Sequence, residues 1–341
     1  MTDKQKIMLF LFCLVLPLSV YAADGTLGDN PATLSPQQTS AAETDESGMM
    51  GKLKGFIKSF KANDGYLDLG LRTGYIYGQN TFDFDHHTSE LEYPMRAYMG
   101  GGNITLGYKD FSINMEAWGS LLDDPTSGWH MKDKDWNDNG QMYSYTKSYS
   151  DMNAVIWDAS LRYDFFKHAF GKKATSDQDN KLKLKLGALI GYRYERFGYK
   201  GFGLYEPGGA GSYGDGQEIF EYKVKYRLPY YGLAVDMYNQ KFGLSVIGKY
   251  GFCGNADDLD NHVLHQRTNY AEYDQNPNVF IGNVILFWNF RKNWEAKLGT
   301  DITLIRINGR SWDETHNPSW DKDQNIDTKQ FIYWVGLGYK F

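Results

Sequence analysis

From residue 65 onward the chain alternates apolar and polar positions in successive segments, the two-residue period of half-buried strands. The last segment is the plainest. Phe331, Tyr333, Val335, Leu337, Tyr339 and Phe341 share one face; Gln330, Gly336, Gly338 and Lys340 share the other, with Ile332 and Trp334 as exceptions. Leu182-Lys183-Leu184-Lys185-Leu186 alternates as strictly. This pattern predicts ten strands, near 66–78, 90–108, 110–122, 143–167, 181–200, 217–238, 242–253, 279–290, 294–308 and 327–341. Their connections sort by length. Lys109-Asp110, Asn239-Gln240-Lys241 and Arg291-Lys292-Asn293 are short, whereas 79–89, 123–142, 201–216, 254–278 and 309–326 are long and polar. Up-and-down strands place every second connection on the same side. The expected fold is therefore all-β: a ten-stranded antiparallel transmembrane β-barrel with long extracellular loops and short periplasmic turns. A soluble β-sandwich would also alternate, but its loops need not sort by length.

The start of the chain fits the same destination. Residues 1–22 read as a signal peptide, with Lys4 and Lys6, an apolar run from Ile7 to Val20, and a Val20-Tyr21-Ala22 cleavage site. Pro17 interrupts the run and argues against a retained membrane helix. Residues 23–64 read as a periplasmic linker, disordered over 23–48 and then carrying a short basic amphipathic helix. Leu53, Phe56, Ile57 and Phe60 form its apolar face among lysines. That helix suits the periplasmic leaflet of the membrane, a dock on the barrel, or fraying in solution. The barrel itself is expected to occupy 65–341. Cys13 leaves with the signal peptide, so Cys253 has no intramolecular disulfide partner. The 26 Tyr, 20 Phe and 9 Trp suit interfacial girdles. A net charge of −6 argues against nucleic-acid binding and selects no other partner.

Two acidic spacings carry possible chemistry. Trp129-His130-Met131-Lys132-Asp133-Lys134-Asp135-Trp136 puts Asp133 and Asp135 on one face of an extended backbone; Asp260 and His262 stand in the same relation within Asp257-Asp258-Leu259-Asp260-Asn261-His262. Both runs are expected in outer loops, following the third and seventh strands, where the pairs can face each other across the barrel mouth. A carboxylate beside an imidazole orients it, and an imidazole facing a second carboxylate can hold and deprotonate water. Two adjacent carboxylates disfavour joint ionisation and can share a proton. Such parts would make a hydrolase using activated water. On spacing alone, acid-rich loops are more often solvated turns. Metal chemistry is not expected: Asp135 to Gly140 opens like a calcium loop, but the twelfth position is Thr146, and Asp83-Phe84-Asp85-His86-His87 lacks a second ligand cluster. No G-x-S-x-G elbow is present.

Four segments together resemble the omptin family of outer-membrane aspartyl-type proteases. Asp133-Lys134-Asp135-Trp136 resembles its D-x-D-W, and Asp260-Asn261-His262 its D-x-H. Leu228-Pro229-Tyr230-Tyr231-Gly232-Leu233 resembles its M-P-Y-x-G-L segment, and Gly191 to Tyr199 its G-Y-Q-E-S-R stretch. The resemblance implies a groove at the outer rim of a barrel in a Gram-negative outer membrane. There His262 and Asp133 would hold the attacking water, Asp260 would orient His262, and Asp135 would support Asp133. It further implies polypeptide substrates, no cofactor, a monomer, and activation by lipopolysaccharide bound at Tyr192, Arg196 and Lys225. Lys225 stands where the family has Arg, and Tyr194 where it has an acid. Asp258 matches one of the family's two acids for a basic P1 residue, but Tyr77-Gly78-Gln79-Asn80 supplies no second acid. A non-enzymatic adhesin or degenerate barrel is the alternative; ten strands leave little room for a porin channel.

Overall fold

The computed structural model describes residues 65–84, 88–123, 129–137, 139–170, 181–206, 211–263, 267–313 and 322–341. The predicted signal peptide, the 23–64 linker with its helix, and His86 and His87 lie outside the described residues. Twelve antiparallel strand segments run β1 (Gly65–Phe84), β2 (Ser89–Tyr108), β3 (Phe111–Asp123), β4 (Trp129–Trp136), β5 (Met142–Phe170), β6 (Leu182–Glu206), β7 (Gly211–Tyr238), β8 (Phe242–Gly251), β9 (Asn255–His262), β10 (Arg267–Arg291), β11 (Trp294–Asp313) and β12 (Lys322–Lys340). The first strand pairs the last from Asp68↔Lys340 to Phe84↔Gln324, which closes the ring.

The ring nevertheless has ten lanes. Both β3 and β4 lie between β2 and β5, with β3 against Ala97–Tyr108 and β4 against Ser89–Glu92. Likewise β8 and β9 share the lane between β7 and β10. Two lanes are therefore each split into a lower and an upper half-strand. The expected number of lanes holds, but the expected long loops at 123–142 and 254–278 are largely strand. Strands also continue past the predicted ends at 78, 200 and 308, to Phe84, Glu206 and Asp313. Above the membrane an outward side chain no longer has to be apolar, so the alternation that marks the lower strands fades while the hydrogen-bond ladder goes on.

Lipid-facing and lumen-facing positions separate cleanly along β12. Tyr333, Val335 and Leu337 are exposed on the outside, while Ile326, Ile332 and Trp334 are buried inside. That explains Ile332 and Trp334, the two exceptions in the sequence pattern: apolar groups also fill the lumen. Trp334 and Trp118 lie 6.2 Å apart there, and the Arg72 guanidinium sits 4.2 Å from the Trp334 ring. A Cβ on Gly299 would come 2.3 Å from the Trp334 ring, so only glycine admits that indole. The remaining lumen is charged but paired. Arg72 donates to Glu116 at 2.7 Å, Arg193 to Glu195 at 2.5 Å, and Lys249 to Asp158 at 2.7 Å, with Tyr230 donating to the same Asp158. The barrel is thus plugged rather than open.

Arg193 and Glu195 are both fully buried. Arg193→Leu should leave the Glu195 carboxylate uncompensated and cost about 3–5 kcal/mol. The check is the temperature at which the folded barrel loses its compact migration on gels, which should fall in Arg193→Leu and recover in Arg193→Leu/Glu195→Leu.

Candidate active site

The two upper half-strands carry the four residues singled out from spacing. Asp133 and Asp135 sit on β4, opposite Leu91 and Ser89 of β2 and Thr146 and Ser144 of β5. Asp260 and His262 sit on β9, with Asp260 opposite Tyr222 of β7 and Asn269 of β10. All four were expected in loops; the structure places them on paired strands, a stiffer support. The β4 and β9 lanes are third and seventh of ten, nearly opposite across the mouth.

On β9 the His262 Nε2 hydrogen donates to Asp260 Oδ2 at 2.9 Å. With Nε2 as donor, Nδ1 is the basic nitrogen of the neutral ring. Asp260 is 8% exposed and His262 lies more open. On β4, burial pushes the Asp133 carboxyl up to about 7; the Asp135 carboxylate adds to the rise, His262 opposes it, and Asp260 adds a further push. The two half-strands are thus close enough for Asp133 to respond to both members of the opposing pair.

Outward-facing ion pairs fasten β4 in place. Lys134 donates to Glu90 at 2.6 Å and also to Glu92, while Lys132 donates to Glu92 at 2.6 Å. Alternation explains the division of labour: Lys132 and Lys134 point out to the β2 glutamates, so Asp133 and Asp135 point in. The hairpin from β4 to β5 is closed by Asn137, whose Oδ1 accepts the amides of Asn139 and Gln141 at 3.1 and 3.0 Å, and by Gly140 at φ 73°. The calcium-like run is therefore a side-chain-closed turn. Among the described residues no group of three or more His, Cys, Asp or Glu side chains could hold a metal.

An aromatic floor lies beneath the two pairs. Tyr93 stacks on Tyr222 with centroids 4.5 Å apart, and Phe82 meets both rings edge-on. Asp258, 7% exposed, is buried at this level, and its Oδ2 accepts the hydroxyls of Tyr222 and Tyr273, each at 2.6 Å. Burial lifts its carboxyl to about 7 despite those two donors, with Asp260 and Asp257 contributing. On the upper part of β1, where the sequence offers no second acid at 77–80, Asn80 is fully buried. It donates to Tyr199 at 3.0 Å and accepts from Thr328 at 2.7 Å and Tyr226 at 3.3 Å.

Tyr192, Arg196 and Lys225 come together on the outer wall, away from the mouth. Arg196 stands opposite Lys225, and Tyr194 opposite Arg227. Trp157 packs against Tyr192 and Tyr194 at 5.4 and 6.3 Å. Asp257, on the outer face of β9, takes Lys225 at 3.7 Å and Arg227 as well. Arg227 was missed in the sequence. Its spacing of two from Lys225 puts both on one strand face and could have found it.

Comparisons with known proteins fit this arrangement. The sequence profile of the Omptin family matches residues 75–341. Protease 7 of Escherichia coli O157:H7 is 26% identical over 247 residues, covering 67% of this chain and 74% of that protein. Outer membrane protease IcsP of Shigella flexneri is 26% identical over 159 residues, covering 44% of this chain and 47% of that one. The crystal structure of outer membrane protease OmpT from Escherichia coli superposes with a TM-score of 0.66 at 19% identity, covering 81% of this chain and 97% of that chain.

Lys134→Met should release Glu90, leave Glu92 to Lys132 alone and loosen β4 from β2, by roughly 1 kcal/mol given the usual worth of partly exposed pairs. Hydrogen exchange of the amides of residues 131–136 should quicken in Lys134→Met and stay near the parent rate in Lys134→Arg. Unchanged exchange in Lys134→Met would show that the backbone ladder alone holds β4.

Proposed function

The chain belongs to the omptin family, and we propose that it is an aspartyl-type endopeptidase whose water nucleophile is activated between His262 and Asp133. Its relatives are outer-membrane proteases, and its own place is the outer membrane of a Gram-negative bacterium. The observation that carries the reading is the pair of upper half-strands, which set an Asp-His pair and an Asp-Asp pair within electrostatic reach across the barrel mouth.

In this mechanism Asp260 holds the Nε2 proton of His262, and Nδ1 takes a proton from the water as oxygen attacks the scissile carbonyl. Asp133 holds the same water by its ionised carboxylate. His262 then returns the proton to the leaving amine. Asp135 supports Asp133, its charge being one of the causes that raise the Asp133 carboxyl. Surface-accessible polypeptides are the proposed substrates, with basic residues near the scissile bond. Asp258 is the proposed acid for a basic P1 side chain. It stands alone, because Asn80 and its hydroxyl partners leave that inward position of β1 uncharged, so the preference for a basic residue should be weaker than two acids would give.

Lipopolysaccharide is the proposed activator, without other cofactors, and a single barrel contains all the groups named. Tyr192, Arg196 and Lys225 would meet the lipid phosphates, and Arg227 supplies the forked guanidinium geometry that Lys225 lacks.

Cleavage of a quenched peptide library by the refolded protein with lipopolysaccharide is the deciding measurement. Asp133→Asn and His262→Ala should each lose at least ~10³-fold in rate while keeping the compact barrel, by the usual worth of such groups. A folded parent that cleaves nothing would leave a surface-binding barrel as the better account.

The pH profile tests the same assignment. The water-holding form of Asp133 is the carboxylate, which predominates above about 7, so kcat/KM, which follows the free enzyme, should climb between pH 6 and 8, about one unit on either side of that value. Asp135→Asn removes one cause of the rise and should move this limb part of the way to lower pH. For Asp258→Asn, kcat/KM should fall about tenfold or more with Arg at P1, roughly one lost charge-assisted contact, and change little with an apolar P1 residue.

A further inference from the structure

On the barrel wall formed by β2, β1, β12 and β11, the lipid-facing positions rise without a charge from the periplasmic end. They run Leu106 to Tyr98, Leu67 to Tyr77, Tyr339 to Phe331, and Trp294 to Leu304. The next outward residues are Arg96, Gln79, Lys329 and Arg306. Pairing places them in one band: Arg96 opposite Tyr77, Gln79 opposite Lys329, and Arg306 opposite Asp327, two residues from Lys329. About ten to twelve residues at ~3.3 Å, tilted ~40°, lift this band ~25–30 Å above the periplasmic end, the height of an outer-membrane apolar belt. The three cations therefore stand at the headgroup level of the outer leaflet.

We propose that this wall holds a second lipid, one whose headgroup carries two phosphates, with Arg306 and Lys329 meeting one phosphate and Arg96 the other. The inference rests on the outer-membrane location and not on proteolysis.

Three observations carry it. Arg306 and Lys329 side chains are 70% and 60% exposed, so an incoming headgroup can reach them. Asp327 spaces them, with Arg306 at 3.0 Å and Lys329 at 4.0 Å, as Asp257 spaces Lys225 and Arg227 on the other wall. Arg96 lies over the Tyr77 ring at 5.7 Å, which keeps its guanidinium at the interface. The occupant's size follows from the lanes. Arg96 and Arg306 are three strand spacings apart, ~14 Å across the strands, and Arg306 stands four residues beyond Ile302, the residue level with Arg96, so the two are further apart than one phosphate spans. Below the cations, Tyr77, Tyr98 and Leu304 are exposed apolar surface for acyl chains. Free phosphate would leave that surface unused, so a lipid is the occupant favoured.

The test is native mass spectrometry of the folded detergent-released barrel titrated with bisphosphoryl lipid A. Arg306→Met/Lys329→Met should bind one lipid fewer than the parent, or bind it about tenfold more weakly, while its compact gel migration shows an intact barrel. Lys225→Met/Arg227→Met should keep the lipid that the first variant loses. Monophosphoryl lipid A should bind this wall more weakly than the bisphosphoryl form. Parental stoichiometry and affinity in Arg306→Met/Lys329→Met would overturn the proposal. So would equal binding of the two lipid A forms, or displacement of the lipid by millimolar inorganic phosphate.

Discussion

Closure of the hydrogen-bonded ring is the constraint on which everything else here depends. Inside a bilayer an unpaired strand edge has no water to turn to, so β1 must meet β12 along its length. Closure fixes which way each side chain points. Outward positions at membrane depth answer to lipid, and inward positions answer to one another. The lumen can then carry Arg72 and Lys249, because Glu116 and Asp158 come from other lanes of the same closed ring, while Arg193 is met by Glu195 on its own strand and by Asp158 of β5. Opened, the sheet would draw Lys249 away from Asp158, three lanes off, and expose both. The plug of ion pairs and the lipid wall are two consequences of one closure.

The site uses the ring differently above the membrane. A catalytic carboxylate on a free loop would have to be ordered at each encounter with substrate. Here β4 and β9 remain in the ladder as short inserts between taller neighbours, each held on both sides by backbone hydrogen bonds. Splitting a lane frees the upper half-strand from the register of the lower one. The neighbouring β10 shows where this is absorbed. Its register against β11 shifts between Tyr273 and Asn278, beside the break between β8 and β9.

The strand period, the lane count and the sorting of short turns from long connections were legible because lipid enforces apolar outward positions. The upper half-strands were not. Their outward residues, Lys132, Lys134 and Asp257, have low strand propensity and read as loop. Their inward residues still alternate: Met131, Asp133 and Asp135 on β4, and Ala256, Asp258 and Asp260 on β9. The i, i+2 spacing therefore gave the correct face even though the segments were taken for loops. The setting of Asp258 could not be read at all. Tyr222 and Tyr273 lie 36 and 15 residues away, and nothing local marks them as partners.

Strand β9 ties the two faces of the molecule together. Its inward residues are Asp258, Asp260 and His262; its outward residue Asp257 holds the Lys225 and Arg227 cations of the wall. The two sets alternate along eight residues, so one strand carries both the candidate site and the anchor of the outer cations. Burial pushes Asp258 up to about 7, with Asp257 among the contributing charges. A cation drawn from Asp257 toward an anion outside would leave that carboxylate less neutralised beside Asp258. The inner acid would then hold its proton more firmly.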